Sequence, residues 1–245
     1  MNYAIILAGG RGQRFGNANV PKQFVELTGV PMLVYSMETA QKNRNIDEIC
    51  VVAADSEHRK ICSWAEEYGI TKLKYFATPG RERQQSVYAG LTAIPAESRD
   101  TVIIMTSVCP FVSQKTIDQQ YEKIKTKDAS ITVVKATDAI TFSNDGKNVN
   151  RTLQKKKLYI QQGPQIFRYG VLMAGHKAYI EDEYYKKLDV TEDSELVLNI
   201  GVECAMVMGD RFCIKVTYPE DLAMAESLLN LFEKQEREYA EGKNN

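Results

Sequence analysis

The chain has 245 residues, enough for one large domain or two small ones, and no Pro/Gly/Ser-rich linker, low-complexity run or internal repeat divides it. A net charge of −1, with both signs interspersed among the 26% charged residues, argues against a polyanionic partner such as nucleic acid. The apolar runs are strand-length, well short of the ~20 residues needed to span a bilayer, and the first strand begins almost at once with no signal peptide ahead of it, so a cytoplasmic protein is expected.

In chain order, residues 3–7 form a short apolar run that reads as a buried first strand. The next stretch, Leu7-Ala8-Gly9-Gly10-Arg11-Gly12-Gln13-Arg14 through Pro21-Lys22-Gln23, is where a nucleotide would be met. Gly9, Gly10 and Gly12 allow a tight turn whose N–H groups approach phosphate oxygens, an approach that a Cβ would block. Arg11, Arg14 and Lys22 add cations for a triphosphate, Arg14 through its fork and Lys22 as a point charge near the α-phosphate. The spacing matches neither the P-loop nor Gly-x-Gly-x-x-Gly.

Further strands are expected at 48–53, 73–77, 101–106 and 130–135, and helices at 31–41, 56–68, 83–93 and 113–125. Asp55 or Ser56 is expected to open the second helix and Ser113 the fourth. Several strands are continuously apolar, as in sheets covered on both faces, and the alternation with helices predicts a doubly wound, mostly parallel α/β sheet. Ligands of such sheets bind beyond the carboxyl ends of the strands, where the glycine-rich loop lies. Trp64, Tyr68 and Tyr75 fit core or half-core positions.

After Lys135 the pattern shifts to short pieces with polar turns, including the hairpin signal Asn144-Asp145-Gly146, so residues 137–162 are expected to project as an arm. A helix at 192–199, strands near 204–207 and 213–216, and a helix from Pro219 to about 238 complete the pattern, with 241–245 frayed. The five cysteines are odd in number and lack Cys-x-x-Cys spacing, and there are two histidines, so neither a disulfide framework nor a zinc site is expected. Cys50 is expected to be a buried hydrophobe, and Cys109 a packed residue rather than a nucleophile.

The Leu-Ala-Gly-Gly-x-Gly-x-Arg string with Pro21-Lys22 resembles the signature of sugar-phosphate nucleotidyltransferases. Gln23 and Phe24 narrow the resemblance to the branch that makes CDP-methylerythritol and CDP-ribitol. Two further segments are similar to motifs of that branch in the same order: Gly80-Arg81-Glu82-Arg83-Gln84-Gln85-Ser86-Val87 through Leu91, and Ile214-Lys215-Val216-Thr217-Tyr218-Pro219-Glu220-Asp221-Leu222. The resemblance implies a Rossmann-like nucleotidyltransferase domain over 1–245 with the arm inserted at 137–162. It also implies transfer of CMP from CTP to ribitol 5-phosphate or 2-C-methylerythritol 4-phosphate with release of pyrophosphate, as in isoprenoid or teichoic-acid and capsule-polyol synthesis. Mg²⁺ and a homodimer whose arm reaches the partner's acceptor pocket are implied too.

By the same resemblance Lys215 faces the phosphate from the side opposite Arg14 and Lys22. Main-chain groups of Ala8, Gly9 and Gly80 and the Ser86 hydroxyl read the nucleoside, Arg83 orders the loop, and Thr106 and Ser107 line the nucleotide site. Asp138, Lys155 and Gln165 fall at acceptor-binding positions. The chain departs from the pattern in several places: Thr106 and Cys109 stand where an acid and an arginine are expected, Phe212 and Cys213 where an acid and an asparagine are expected. Ala139 and Gly163 replace threonines, and Lys155 replaces an arginine. Asp210 is the nearby acid available as a substitute metal ligand; Gly16-Asn17 and Phe212 lean towards ribitol. Two other readings stay open: a catalytically silent nucleotide-binding subunit, which would release no pyrophosphate, and a glycosyltransferase, which would carry an Asp-x-Asp motif that this chain lacks.

Overall fold

Continuous burial of alternate β-branched and aliphatic residues drives the chain into a sheet with helices on both faces. The structure, a computed structural model, describes residues 1–10 and 20–243. In chain order the elements are β1 (Asn2–Leu7), the small hairpin β2 (Glu26–Leu27) and β3 (Val30–Pro31), α1 (Met32–Lys42), β4 (Glu48–Val52), α2 (His58–Glu67), β5 (Leu73–Ala77), α3 (Arg83–Ala93), β6 (Thr101–Thr106), α4 (Gln114–Ile124) and β7 (Ala129–Lys135). There follow the hairpin β8 (Thr141–Phe142) and β9 (Arg151–Thr152), then β10 (Tyr159–Arg168), α5 (Tyr169–Glu181), α6 (Asp193–Asn199), β11 (Ala205–Met208) and α7 (Pro219–Lys243).

Seven strands form the main sheet in the order β11-β7-β10-β6-β1-β4-β5. Strand β1 lies parallel to both neighbours, with Leu7 opposite Val52 of β4 and Thr106 of β6. Its side chains alternate between two cores. Ala4 and Ile6 face the cluster built with α1, α2 and α4, whereas Tyr3 and Ile5 face the one built with α3 and α5. A third cluster packs Leu27, Met32, Val108 and Phe111 against Ala225 and Phe232 of α7. Cys50 is fully buried, and burial pushes its thiol up to about 12. Trp64, Tyr68 and Tyr75 are half-buried. Among the described residues no helix is long and apolar enough to cross a membrane.

The doubly wound, mostly parallel sheet agrees with expectation, and several boundaries need correction. Residues 159–162, assigned to the arm, begin β10, which runs antiparallel between β6 and β7. The polar string Gln161-Gln162-Gly163-Pro164 carries no strand signal, but pairing with Thr132–Lys135 before a register shift at Gln162/Gln165 decides its conformation. What projects is therefore the exposed stretch about β8 and β9, where Asp145 accepts the Lys147 and Asn148 N–H groups and Gly146 takes φ +67°. The expected strand at 213–216 is an irregular segment held by single bonds, among them Val216 N–H to the Val108 carbonyl at 2.9 Å.

Helix α7 runs on through 241–243, positions expected to fray. Its start is held by the Asp221 carboxylate, which accepts the Thr217 and Tyr218 N–H groups at 2.7 and 2.8 Å. Ser113 caps α4 as expected, accepting from Thr116 N–H. Neither Asp55 nor Ser56 caps α2, because residues Asp55–Glu57 close a 3₁₀ turn first and the Asp55 carboxylate accepts from the Thr78 hydroxyl instead.

Gly90 sits where α3 crosses β1 and β4. A Cβ there would meet Ile5 Cγ2 at 2.7 Å and Val52 Cγ2 at 3.0 Å. Gly90→Ala should therefore lower stability by about 1–3 kcal/mol through overpacking, read as a reduced urea midpoint with an unchanged slope.

Candidate functional site

The carboxyl ends of β1 and β6, the loop between β5 and α3, part of β10 and the segment before α7 enclose one cleft of about 1120 Å³. Backbone approaches close enough to exclude side chains shape its floor. At Gly9 a Cβ would lie 2.3 Å from Pro79 Cβ, so only glycine lets the loop after β1 pass the loop after β5. At Gly80 it would lie 2.2 Å from Gln85 Cβ. The Gly80 loop is tied to the first turn of α3: Gly80 N–H donates to Ser86 Oγ (3.1 Å), Arg81 N–H to Gln85 Oε1 (2.8 Å), and the Ser86 hydroxyl to the Glu82 carbonyl (3.0 Å).

Lys22, Lys215, Gly9, Gly10, Gly80, Arg83, Ser86, Thr106, Ser107 and Gln165 all line this cleft. Arg11, Gly12 and Arg14 lie outside the described residues. Four expected site residues are not on the lining. Ala8 is buried with its N–H donated to the Val52 carbonyl and its own carbonyl accepting from Gln23 Nε2, so its main chain is already engaged. Asp138 and Lys155 are exposed on the stretch before β8 and after β9, Lys155 donating to the Thr137 carbonyl at 3.2 Å. Asp210 points towards α7, accepting from Gln235 Nε2 and from Phe212 N–H (2.9 Å), which removes it as a replacement metal ligand in this arrangement.

Arg83 is one half of an ion pair that links the cleft wall to α6. Its Nη2 lies 2.6 Å from Asp193 Oδ2 and 3.2 Å from Glu192 Oε2. Asp193 is fully buried, with His176 Nε2 3.7 Å from its other oxygen. Burial pushes the Asp193 carboxyl up, but the Arg83 guanidinium and His176 outweigh it and hold the group below its ordinary value of 3.8. Glu192 also accepts from Gln165 Nε2 at 2.6 Å, while Gln165 Oε1 accepts from Ser194 N–H. Sequence reasoning placed Arg83 as the residue ordering this loop but missed Glu192 and Asp193; the available signal was Thr191-Glu192 followed by Glu195, whose carboxylate accepts the Glu192 N–H at the helix start.

On the opposite wall Cys109 and Cys213 belong to one buried cluster, near enough for their thiols to influence each other. The Cys213 thiol and the nearby Lys215 and Lys22 hold the Cys109 thiol below its ordinary value despite burial. Cys213 is pushed well above by the Cys109 contact and by burial. Cys109 is thus packed, as expected, yet it lines the cleft.

The residues present do not fit a protein-held Mg²⁺. No group of three His, Cys, Asp or Glu placed to hold a metal ion exists among the described residues, the cleft acids are Glu82 and the already engaged Glu192, and Thr106 offers a hydroxyl rather than a carboxylate. What the cleft does offer is two ammonium groups beside glycine main chain, a combination suited to a polyphosphate.

The family model for IspD, 2-C-methyl-D-erythritol 4-phosphate cytidylyltransferase, matches residues 2–231. The chain is 33% identical to the protein of that name from Syntrophus aciditrophicus over 92% of this chain and 94% of that protein. It is 34% identical to its namesake from Clostridioides difficile over 96% and 97%. Among solved structures, 4-diphosphocytidyl-2C-methyl-D-erythritol synthase of Anaerococcus prevotii superposes with a TM-score of 0.80 at 26% identity, covering 94% of this chain and 98% of that one. The Francisella tularensis 2-C-methyl-D-erythritol 4-phosphate cytidylyltransferase gives 0.77 at 26%, covering 91% and 97%.

Removing Arg83 leaves the buried Asp193 with only His176 facing it. Arg83→Met should cost about 3 kcal/mol at neutral pH. Because the folded Asp193 pKa is depressed, the stabilisation is present above 3.8 and lost as pH falls through the lower folded value. The gap between wild type and variant, measured by urea unfolding across pH, should therefore narrow in acid.

Proposed function

The chain belongs to the 2-C-methyl-D-erythritol 4-phosphate cytidylyltransferase family, and from that membership and the cleft we propose that it transfers CMP from CTP to a phosphorylated polyol, releasing pyrophosphate. The acceptor named by the relatives, 2-C-methyl-D-erythritol 4-phosphate, is the first substrate assigned to it, with ribitol 5-phosphate as the competitor. The observation that carries the reading is that Lys22 and Lys215, far apart in sequence, line one cleft together with Gly9, Gly10 and Gly80.

The chemistry asked of such a cleft is mostly electrostatic. An acceptor phosphate oxygen attacks the α-phosphorus in line with departing pyrophosphate, and negative charge grows on the transferring and leaving oxygens. Lys22 and Lys215 are assigned to that charge, with Arg14 on the triphosphate. Gly80 main chain and Ser86 are assigned to the pyrimidine nucleoside. Mg²⁺, if the reaction requires it, arrives on the nucleotide's phosphates, since the described residues supply no carboxylate set.

For the acceptor, Gln165 stands in the cleft wall, while Asp138 and Lys155 lie on the exposed projecting stretch that also bares Phe142 and Val149. We assign that stretch to a homodimer in which each arm brings Lys155 to the partner's acceptor pocket. Analytical ultracentrifugation showing a monomer at micromolar concentration would dismiss the exchange.

The direct test is calorimetric titration of CTP against ATP, GTP and UTP, followed by pyrophosphate release with both polyol phosphates. CTP-selective binding with turnover is the expected result; absence of nucleotide binding would sink the reading. Lys22→Ala and Lys215→Ala should each lower kcat/KM by about 100-fold or more. A Cβ added at Gly163 meets nothing within 4 Å, so Gly163→Thr has room to present a hydroxyl. If methylerythritol phosphate is the acceptor, that variant should lower its KM by about fivefold, the worth of one hydrogen bond.

A further inference from the structure

No disulfide framework was expected of the five cysteines, and three stand apart: Cys50 is buried in β4, Cys62 is exposed on α2, and Cys204 lies near the Ser194 carbonyl. The remaining two meet. Cys109 belongs to the loop leaving β6, where its N–H donates to the Thr106 carbonyl at 3.2 Å. Cys213 belongs to the segment entering α7, where its N–H donates to the Asp210 carbonyl at 3.1 Å. Both side chains pack in the same buried cluster, and the Cys213 thiol lies 3.5 Å from the Gly163 carbonyl.

Hydrogen bonds hold the two segments in place. The Val216 N–H to Val108 carbonyl bond links the same two segments, and Gln162 Nε2 donates to the Cys213 carbonyl at 3.1 Å. Both residues line the cleft while remaining largely buried, and Lys215 follows Cys213 by two residues.

We propose that Cys109 and Cys213 form an oxidative modification site: a low-molecular-weight disulfide converts them to an intramolecular disulfide that displaces Lys215 and weakens nucleotide binding. The Cys109 thiolate attacks one sulfur of the reagent, forming a mixed disulfide and releasing the first reagent thiol, which takes up the proton Cys109 lost. Cys213 then loses its proton and displaces the second reagent thiol from Cys109. The two protein thiols are oxidised by two electrons, and one reagent disulfide is reduced to two thiols. Closing the bond draws the sulfurs inside van der Waals contact and pulls the segment carrying Lys215 towards the loop carrying Thr106 and Cys109.

The consequence for nucleotide rests on the CTP-binding reading, whereas formation of the bond does not. Full-length protein is treated with oxidised glutathione or with reduced glutathione, digested after alkylation, and mapped by mass spectrometry; CTP affinity is measured on the same two samples by calorimetry, with circular dichroism to show that both remain folded. The expected result is a Cys109–Cys213 peptide, reversed by dithiothreitol, with CTP affinity lower by about tenfold, within the usual range for coupling between two sites. Cys109→Ser and Cys213→Ser should each lose the linked peptide and the difference between their two samples. Bound CTP should in turn slow formation of the linkage.

A map in which exposed Cys62 carries glutathione while Cys109 and Cys213 stay reduced or carry only mixed adducts overturns the modification site. A linked peptide with unchanged CTP affinity overturns its effect on binding. Failure of the reduced protein to bind CTP overturns the proposed function while leaving the peptide map to decide the site.

Discussion

Parallel pairing of β1 between β4 and β6 is the constraint on which the rest of the molecule depends. In a parallel sheet every strand delivers its following loop to the same edge, so the loops after β1 and β6 emerge side by side and the loop after β5 joins them two strands away. The register places Leu7 level with Thr106, so the loop carrying Gly9 and Gly10 leaves the sheet beside the loop carrying Ser107. Full burial of Ala4, Ile5 and Ile6 holds that register, because a slip by one residue would exchange the side chains between two cores of different shape.

The walls of the cleft are fixed by different physics. One rests on the Arg83 ion pair with Asp193 and Glu192, which fastens the start of α3 to the start of α6 although the partners are distant in sequence. A carboxylate with no exposure survives only because a guanidinium and an imidazole face it. The other wall is held by main-chain contact between the loop after β6 and the segment before α7, with Cys109 and Cys213 packed in one buried cluster behind it. Between them the cleft gathers Lys22 and Lys215 in a space whose acids are few.

Four of the seven departures from the resembled pattern, Thr106, Cys109, Phe212 and Cys213, stand on the two segments joined by the Val216–Val108 bond. Of these, two stand in place of acids and one in place of an arginine, while Lys22 and Lys215 both line the cleft.

The sequence by itself determined the local pieces: apolar runs of strand length, the Ser113 cap, the glycines at 9 and 80, and the motifs that identify the family. These are legible because each depends on neighbours within a few residues, on periodicity, capping or the absence of a Cβ. Only the tertiary structure decided that Gln161 and Gln162 enter a strand of the main sheet, that the segment 213–216 forms none, that Asp210 turns towards Gln235, and that Asp193 and Cys213 meet Arg83 and Cys109. In each case the deciding energy is a hydrogen bond, a buried charge or a packed contact between residues distant along the chain, and such a contact exists only once the sheet has set which loops face each other.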